Sequence, residues 1–262
     1  MGIPARSVAS SDGVRISYQV RGAGSVTLVF VHGWSCNRSY WDRQLELFAR
    51  EFQVVTIDLA GHGDSGRERT HWTIPAFGAD VATVVREVGP KRSILIGHSM
   101  GGDVILDAAR QIQGRVAGGV WVDVYSRLDG WRTPEQVQER MKPFRENFAE
   151  ATDTFVRRLF PPGSNPALVE RVAADMVAAP PAIALAALEA VWLFGPKVPA
   201  LLDELKLPFV AINPDDQPTD LISMSRHGVE VLVMPGVGHF LMLEEPERFN
   251  RLLREVIGML LH

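Results

Sequence analysis

Arg-Ser-Ile-Leu-Ile-Gly-His-Ser-Met-Gly-Gly, residues 92–102, joins a short apolar run to a helical one through a Gly-x-Ser-x-Gly pentad. Ile94, Leu95 and Ile96 read as a buried strand, and the residues after Gly101 read as a helix. A serine at so tight a strand-to-helix turn is held in a strained backbone conformation, with its hydroxyl projecting from the sheet edge. Flanking side chains would collide across the turn, so Gly97 and Gly101 meet a steric need. The helix that follows directs its N-terminal amides at negative charge developing beside Ser99.

The same strand signal recurs on both sides of this unit. VTLVFVHG at 26–33, FQVVTIDLAGHG at 52–63, RVAGGVWVDV at 115–124, PFVAIN at 208–213 and VEVLVMPG at 229–236 are near-continuous apolar runs, as buried parallel strands are. Helical patterns lie between them: YWDRQLELFAR repeats apolar residues every three or four positions, and FGADVATVVREVG ends on a glycine stop. Such alternation predicts an α/β fold with a mostly parallel sheet covered on both faces. Ahead of it, SSDGVRISYQVRG at 10–22 alternates, and Asp12-Gly13 marks a hairpin, so two antiparallel strands are expected to open the sheet. From Arg127 to Lys206 no strand signal occurs, only helical pieces separated by TPE, FPPGSNP, APP and FGPKVP. We read a core domain at 1–126 and 207–262, with a helical cap at 127–206 inserted after the sixth strand. The large apolar residues of the cap (Phe144, Phe148, Phe155, Phe160, Met176, Trp192 and Phe194) are expected to pack it on the core, with a few lining a cleft.

Composition narrows the function classes. The 262 residues are 46% hydrophobic and 22% charged, with a formal net charge of −4 and no bunching of Lys and Arg. That argues against nucleic-acid or anionic-membrane partners and leaves a small-molecule substrate. No run of some 18–20 apolar residues is apparent, and the N-terminus lacks a signal-peptide core, so a cytoplasmic protein is expected. Met1-Gly2 with Ser7 matches a myristoylation pattern only weakly. Cys36, the single cysteine, reads as a buried or loop thiol. No His, Cys and carboxylate cluster has metal-ligand spacing, and Gly61-His62-Gly63 lacks the third glycine of a dinucleotide fingerprint, so neither metal nor cofactor is expected.

Two further segments supply chemistry. A serine hydroxyl is a poor nucleophile near neutral pH and needs an adjacent imidazole. His239, in Pro235-Gly236-Val237-Gly238-His239-Phe240, follows the last strand and is the candidate base. Val31-His32-Gly33-Trp34 ends the third strand, where the main-chain N–H of Trp34 can face that of Met100, giving two oxyanion donors. The Trp34 side chain reads as a wall of the cleft, and His32, His62 and His98 as structural.

HGW at 32–34, DLAGHGDSG at 58–66, GHSMGG at 97–102 and PGVGHF at 235–240 stand in an order and spacing that resemble the α/β-hydrolase superfamily over nearly the whole chain except the cap. The likeness is to the capped, single-domain branch of esterases, lactonases, C–C bond hydrolases and cofactor-free haloperoxidases. It implies an eight-stranded sheet with only the second strand antiparallel, which revises the opening hairpin. A carboxylate must also accept the second ring N–H of His239. The family most often uses an Asp after the seventh strand, here Asp215 or Asp216, in a turn that departs from the family pattern at Asn213 and Pro214. Some members, pancreatic lipase among them, place it after the sixth, here Asp123, which closes an apolar strand and wants a partner. Asp123 stands first, Asp215 next and Asp216 third. Ser99 occupies the elbow position where epoxide hydrolases and haloalkane dehalogenases of this fold carry Asp. The expected activity is hydrolysis of a carboxylic ester of a small, largely apolar substrate through an acyl-enzyme. The alternatives are lactone, C–C bond or perhydrolysis chemistry on the same triad, or a non-catalytic ligand receptor.

Overall fold

The runs at Thr27–Val31, Ser93–His98 and Phe209–Pro214 become strands buried along their whole length, as a sheet sandwiched between helices requires, while the run at Val229–Met234 forms a partly exposed strand at the sheet edge. The computed structural model describes residues 5–262, so the myristoylation reading of Met1-Gly2 lies outside the described residues. Eight strands, β1 (Arg6–Ala9), β2 (Arg15–Arg21), β3 (Thr27–Val31), β4 (Gln53–Ile57), β5 (Ser93–His98), β6 (Val116–Val122), β7 (Phe209–Pro214) and β8 (Val229–Met234), form one sheet in the order β1-β2-β4-β3-β5-β6-β7-β8. Only β2 runs against its neighbours: it pairs antiparallel with both β1 and β4, while the other neighbours pair in parallel. The opening is therefore a hairpin, closed by Ser10 N–H donating to Val14 O at 2.7 Å around Gly13. Beyond it the sheet is parallel, as the resemblance implies.

Helices follow the strands. α1 (Asp42–Phe48), α2 (Ile74–Val88) and α3 (Met100–Gln111) fill the crossovers of the first half, and α2 ends on Gly89 in the left-handed conformation. Between β6 and β7 lie α4 (Pro134–Glu146), α5 (Phe148–Arg157), α6 (Pro166–Val177), α7 (Pro181–Phe194) and α8 (Val198–Leu205). After β7 come α9 (Leu221–Arg226), α10 (Leu241–Glu244) and α11 (Pro246–Leu261). α1 and α11 pack together, while α2, α3 and α8 form a second layer.

The proline-bearing separators of the insertion start helices. Thr133 and Gln136 make a reciprocal capping box ahead of α4, Asn165 caps α6, and Pro134, Pro166 and Pro181 each open a first turn. α4 packs on α5 and α7, α5 on α6, and α7 reaches α2 and α3. One run differs from the sequence expectation. Pro181–Leu205 is long and apolar enough to cross a bilayer by length and composition, with a mean hydropathy of 1.4. It escapes a search for an unbroken apolar stretch because Glu189, Pro196 and Lys197 interrupt it. In the fold it forms α7 and α8, which carry Ile183, Ala184, Ala187 and Leu188 inward.

The order of strands fixes where a site can form. From β3 the chain moves outward to β4, then crosses back to lay β5 on the other side of β3. The carboxyl ends of β3 and β5 thus flank a topological switch point, the place where open parallel sheets bind ligands.

Candidate active site

Ser99 sits at that switch point, directly after β5 and directly before α3, with φ 51° and ψ −122°. The two glycines around it are sterically required. A Cβ at Gly97 would lie 2.2 Å from Gly101 O, and one at Gly101 would lie 2.5 Å from Val31 O. Met100 is the first residue of α3, so its N–H has no acceptor within the helix. Gly33 packs its backbone against the serine: a Cβ there would stand 3.2 Å from Ser99 Cβ and 2.9 Å from His98 Nδ1. Gly33, Trp34, Met100, Ser99 and His239 line one small cavity of about 60 Å³.

His239 comes from the loop after β8 and is held from three sides. Its Nδ1–H donates to Asp123 Oδ2 at 2.5 Å, which leaves Nε2 as the basic nitrogen. Its backbone N–H donates to Leu159 O, and its carbonyl accepts from His98 Nε2–H, each at 2.9 Å. Gly238 lets the Leu159 carbonyl approach, since a Cβ there would sit 2.4 Å from that oxygen. Phe240 stacks on Phe160, with ring centroids 5.1 Å apart. The imidazole is thus fixed by the core and by the insertion together.

Of the three candidate acids, Asp123 is the one that reaches His239. It follows β6 with φ 45°, and its own N–H donates to Ile212 O at 3.0 Å. Asp215 turns elsewhere and accepts from Gly236 N–H at 2.7 Å. Asp216 lies near enough for the negative charge of Asp123 to act on it; burial first, then that charge, raises its carboxyl above the usual range.

The other histidines serve the frame. His32 Nδ1–H donates to Gly33 O at 2.8 Å and its Nε2 accepts from Leu59 N–H at 3.1 Å, tying the end of β3 to the loop after β4. Burial pushes its pKa down to about 4, and burial with the proximity of His32 pushes that of His62 down to about 3. His98 is held well below its ordinary value, chiefly by burial. Cys36 is buried, donates to Trp34 O at 3.3 Å, and has its thiol pKa pushed up by burial. Among the described residues no group of three His, Cys, Asp or Glu side chains is placed to hold a metal ion.

Trp34 does more than wall the cleft. Its Nε1–H donates to Ala184 O at 2.7 Å, and its ring makes edge contacts with Phe144, Phe148 and Phe155. Phe155 and Trp192 reach the small cavity with Leu159, Met176, Leu188 and Val191. A second cavity of about 1060 Å³ also reaches Ser99, and its walls mix charged side chains with apolar ones, Val124, Trp131, Val191 and Trp192 among them. The largely apolar cleft expected from the sequence matches the lining of the small cavity more closely than that of the larger one. The difference arises because Arg127 and Arg132, in the segment leading into α4, and Arg140, on α4 itself, line the larger one.

The model of the alpha/beta hydrolase family matches residues 28–252. The chain belongs to the alpha/beta hydrolase family. It is 37% identical over 117 residues to a non-heme haloperoxidase of Rhodococcus erythropolis, covering 44% of this chain and 42% of that one. A pimeloyl-[acyl-carrier protein] methyl ester esterase of Pectobacterium carotovorum is 30% identical over 148 residues, covering 53% and 54%. The chain thus spans about half the length of these curated relatives. An esterase from Rhodococcus sp. ECU1013 superposes with a TM-score of 0.77 at 26% identity, over 98% of this chain and 99% of that one.

Several residues around this hydrolase-family site escaped the sequence reading. Asp103, one turn along α3 from Ser99, is buried and accepts from the Tyr125 hydroxyl; burial raises its pKa to about 7. Asn213 Nδ2 donates to Tyr125 O at 2.9 Å, so the turn that departs from the family pattern supports the loop bearing Asp123. The only available signal was weak: an Asp four residues beyond Ser99, inside an apolar helix.

Proposed function

We propose that this chain is a serine hydrolase that cleaves carboxylic esters through Ser99, His239 and Asp123. One observation carries the reading: the strained serine after β5 shares a cavity with an imidazole whose Nδ1–H is given to Asp123. Esterases among the similar proteins support the reaction class. In the first step His239 Nε2 takes the Ser99 proton as Oγ attacks the carbonyl carbon. The amides of Trp34 and Met100 receive the oxyanion, each donor being worth about 3 kcal/mol in the transition state. The protonated imidazole, stabilised by Asp123, gives its proton to the leaving alcohol. Water activated at Nε2 then attacks the acyl-enzyme, and Ser99 is regenerated. The small cavity of about 60 Å³ suits a short acyl chain, and helices α4–α7 act as its cap.

The test is turnover of p-nitrophenyl acetate and butyrate, with a fluorophosphonate probe located by mass spectrometry. Ester cleavage that is lost in Ser99→Ala, with the probe on Ser99, is the expected result. An inert protein whose serine takes no label would overturn the reading and favour a binding protein on this fold.

A further inference from the structure

The larger cavity contains three guanidinium groups and five carboxylates, and they are not equivalent. Each carboxylate is already engaged: Asp123 with His239, Asp103 with Tyr125, Glu139 with Lys142, Asp129 with Ser223 and Arg226, and Asp220 with the first amides of α9. Arg127, Arg132 and Arg140, which line the same cavity, have no carboxylate partner among the described residues. Arg140 is held in place by stacking over Trp192, 4.6 Å from the ring centroid. That ring also lines the small cavity at Ser99. Partial burial, followed by the like charge of Arg132, lowers the guanidinium pKa of Arg140. Both side chains are exposed, so solvent screens their repulsion, and an oxyanion bound between them would relieve what remains.

We propose that Arg127, Arg132 and Arg140 form an oxyanion-recognition subsite, so that the preferred substrate is an ester carrying a carboxylate or phosphate group. This rests on the hydrolase reading for the reaction, though not for the binding. The volumes divide the substrate. The small apolar cavity takes the short, uncharged end, and the larger one takes the anionic end, where planar guanidinium forks pair with two oxygens at once. Because the cavity is open to solvent, the attraction weakens with added salt.

The experiment compares 4-acetoxybenzoate with its neutral isostere 4-acetoxybenzamide in the wild type, Arg140→Lys, Arg140→Gln and Arg132→Gln/Arg140→Gln. In parallel, 4-hydroxybenzoate and phenyl phosphate are titrated calorimetrically into Ser99→Ala, with and without the two Arg→Gln changes. We expect a higher kcat/KM for the anionic ester, and an anionic-to-neutral ratio that falls about tenfold per arginine removed, the worth of one charge-assisted hydrogen bond. Arg140→Lys, which keeps the charge but not the fork, is expected to fall between. Tighter binding of the carboxylate or of the phosphate names the substrate's anion. Equal turnover of the two esters, with no arginine-dependent binding to Ser99→Ala, would overturn the subsite and leave the hydrolase standing. Arginine-dependent binding with neither ester cleaved would keep the subsite and remove the hydrolase.

Discussion

Asp123 combines a left-handed backbone, at φ 45°, with a carboxylate on His239 and a backbone N–H fixed to Ile212 O. A non-glycine residue held in that region costs of order 1–3 kcal/mol and persists where its surroundings over-determine it. Ser99, at φ 51°, meets the same condition from the other side of the cavity. Gly33 is a tight point beside the proposed oxyanion hole, since even a methyl group there meets His98 and Ser99. Gly33→Ala is expected to lower kcat/KM by about 10- to 100-fold, the worth of a displaced oxyanion donor, with a melting temperature close to the wild type. Ester turnover beside a thermal melt checks this. At this scale the sequence revealed whatever a local motif encodes: Ser99 from its glycines, and His239 from its place after a strand. It ranked the acids only loosely, because an Asp at a strand end looks the same whether it meets an imidazole 116 residues away or an amide 21 residues away.

The elements explain why the insertion is part of the site. Trp34 leaves the end of β3 and reaches Ala184 O on α7, while Leu159, just beyond α5, holds the backbone of His239. Trp34→Phe keeps most of the ring and removes the donor, leaving the Ala184 carbonyl buried without it. The expected loss is about 1–3 kcal/mol in denaturant unfolding, together with a raised KM. An unchanged KM would mean that α7 does not depend on this tie. The strands and the crossovers were legible from period and from glycine and proline stops. Which face α4 would show to the site was not. Gln136, Glu139 and Arg140 cover its charged side, and periodicity marks such a face as exposed without saying that a cavity lies beneath it.

Over the whole molecule, pH acts through buried groups on both sides of neutrality. His32, His62 and His98 are buried, with pKa values at about 4, about 3 and well below normal, so the unfolded chain binds their protons more readily. Their contribution is complete above pH 6.5 and is lost as pH falls through 6.5 toward 4. Asp103, raised to about 7, works in the opposite sense: the folded state holds its proton more tightly, so stability falls as pH rises from about 4 to 7. Asp58 and Asp80, buried and raised in the same sense, add to Asp103, while the three buried histidines oppose them, and the melting temperature is expected to drop as pH goes from 7 to 4. Asp103→Asn is expected to gain stability relative to the wild type progressively between pH 4 and 7. Melts across that range check both, and a flat wild-type profile would contradict the assignment of neutral buried histidines.

The central claim is that a fold bringing residues 99, 123 and 239 together makes one catalytic unit, with its acid directly after β6. Its most direct test is kcat/KM for p-nitrophenyl acetate in Asp123→Asn and Asp215→Asn, measured beside the wild type. We predict a fall of about 10³- to 10⁴-fold for Asp123→Asn, the cost of losing the carboxylate that fixes the imidazole tautomer, and near-wild-type activity for Asp215→Asn. The reverse pattern, or equal modest losses in both, would contradict the account.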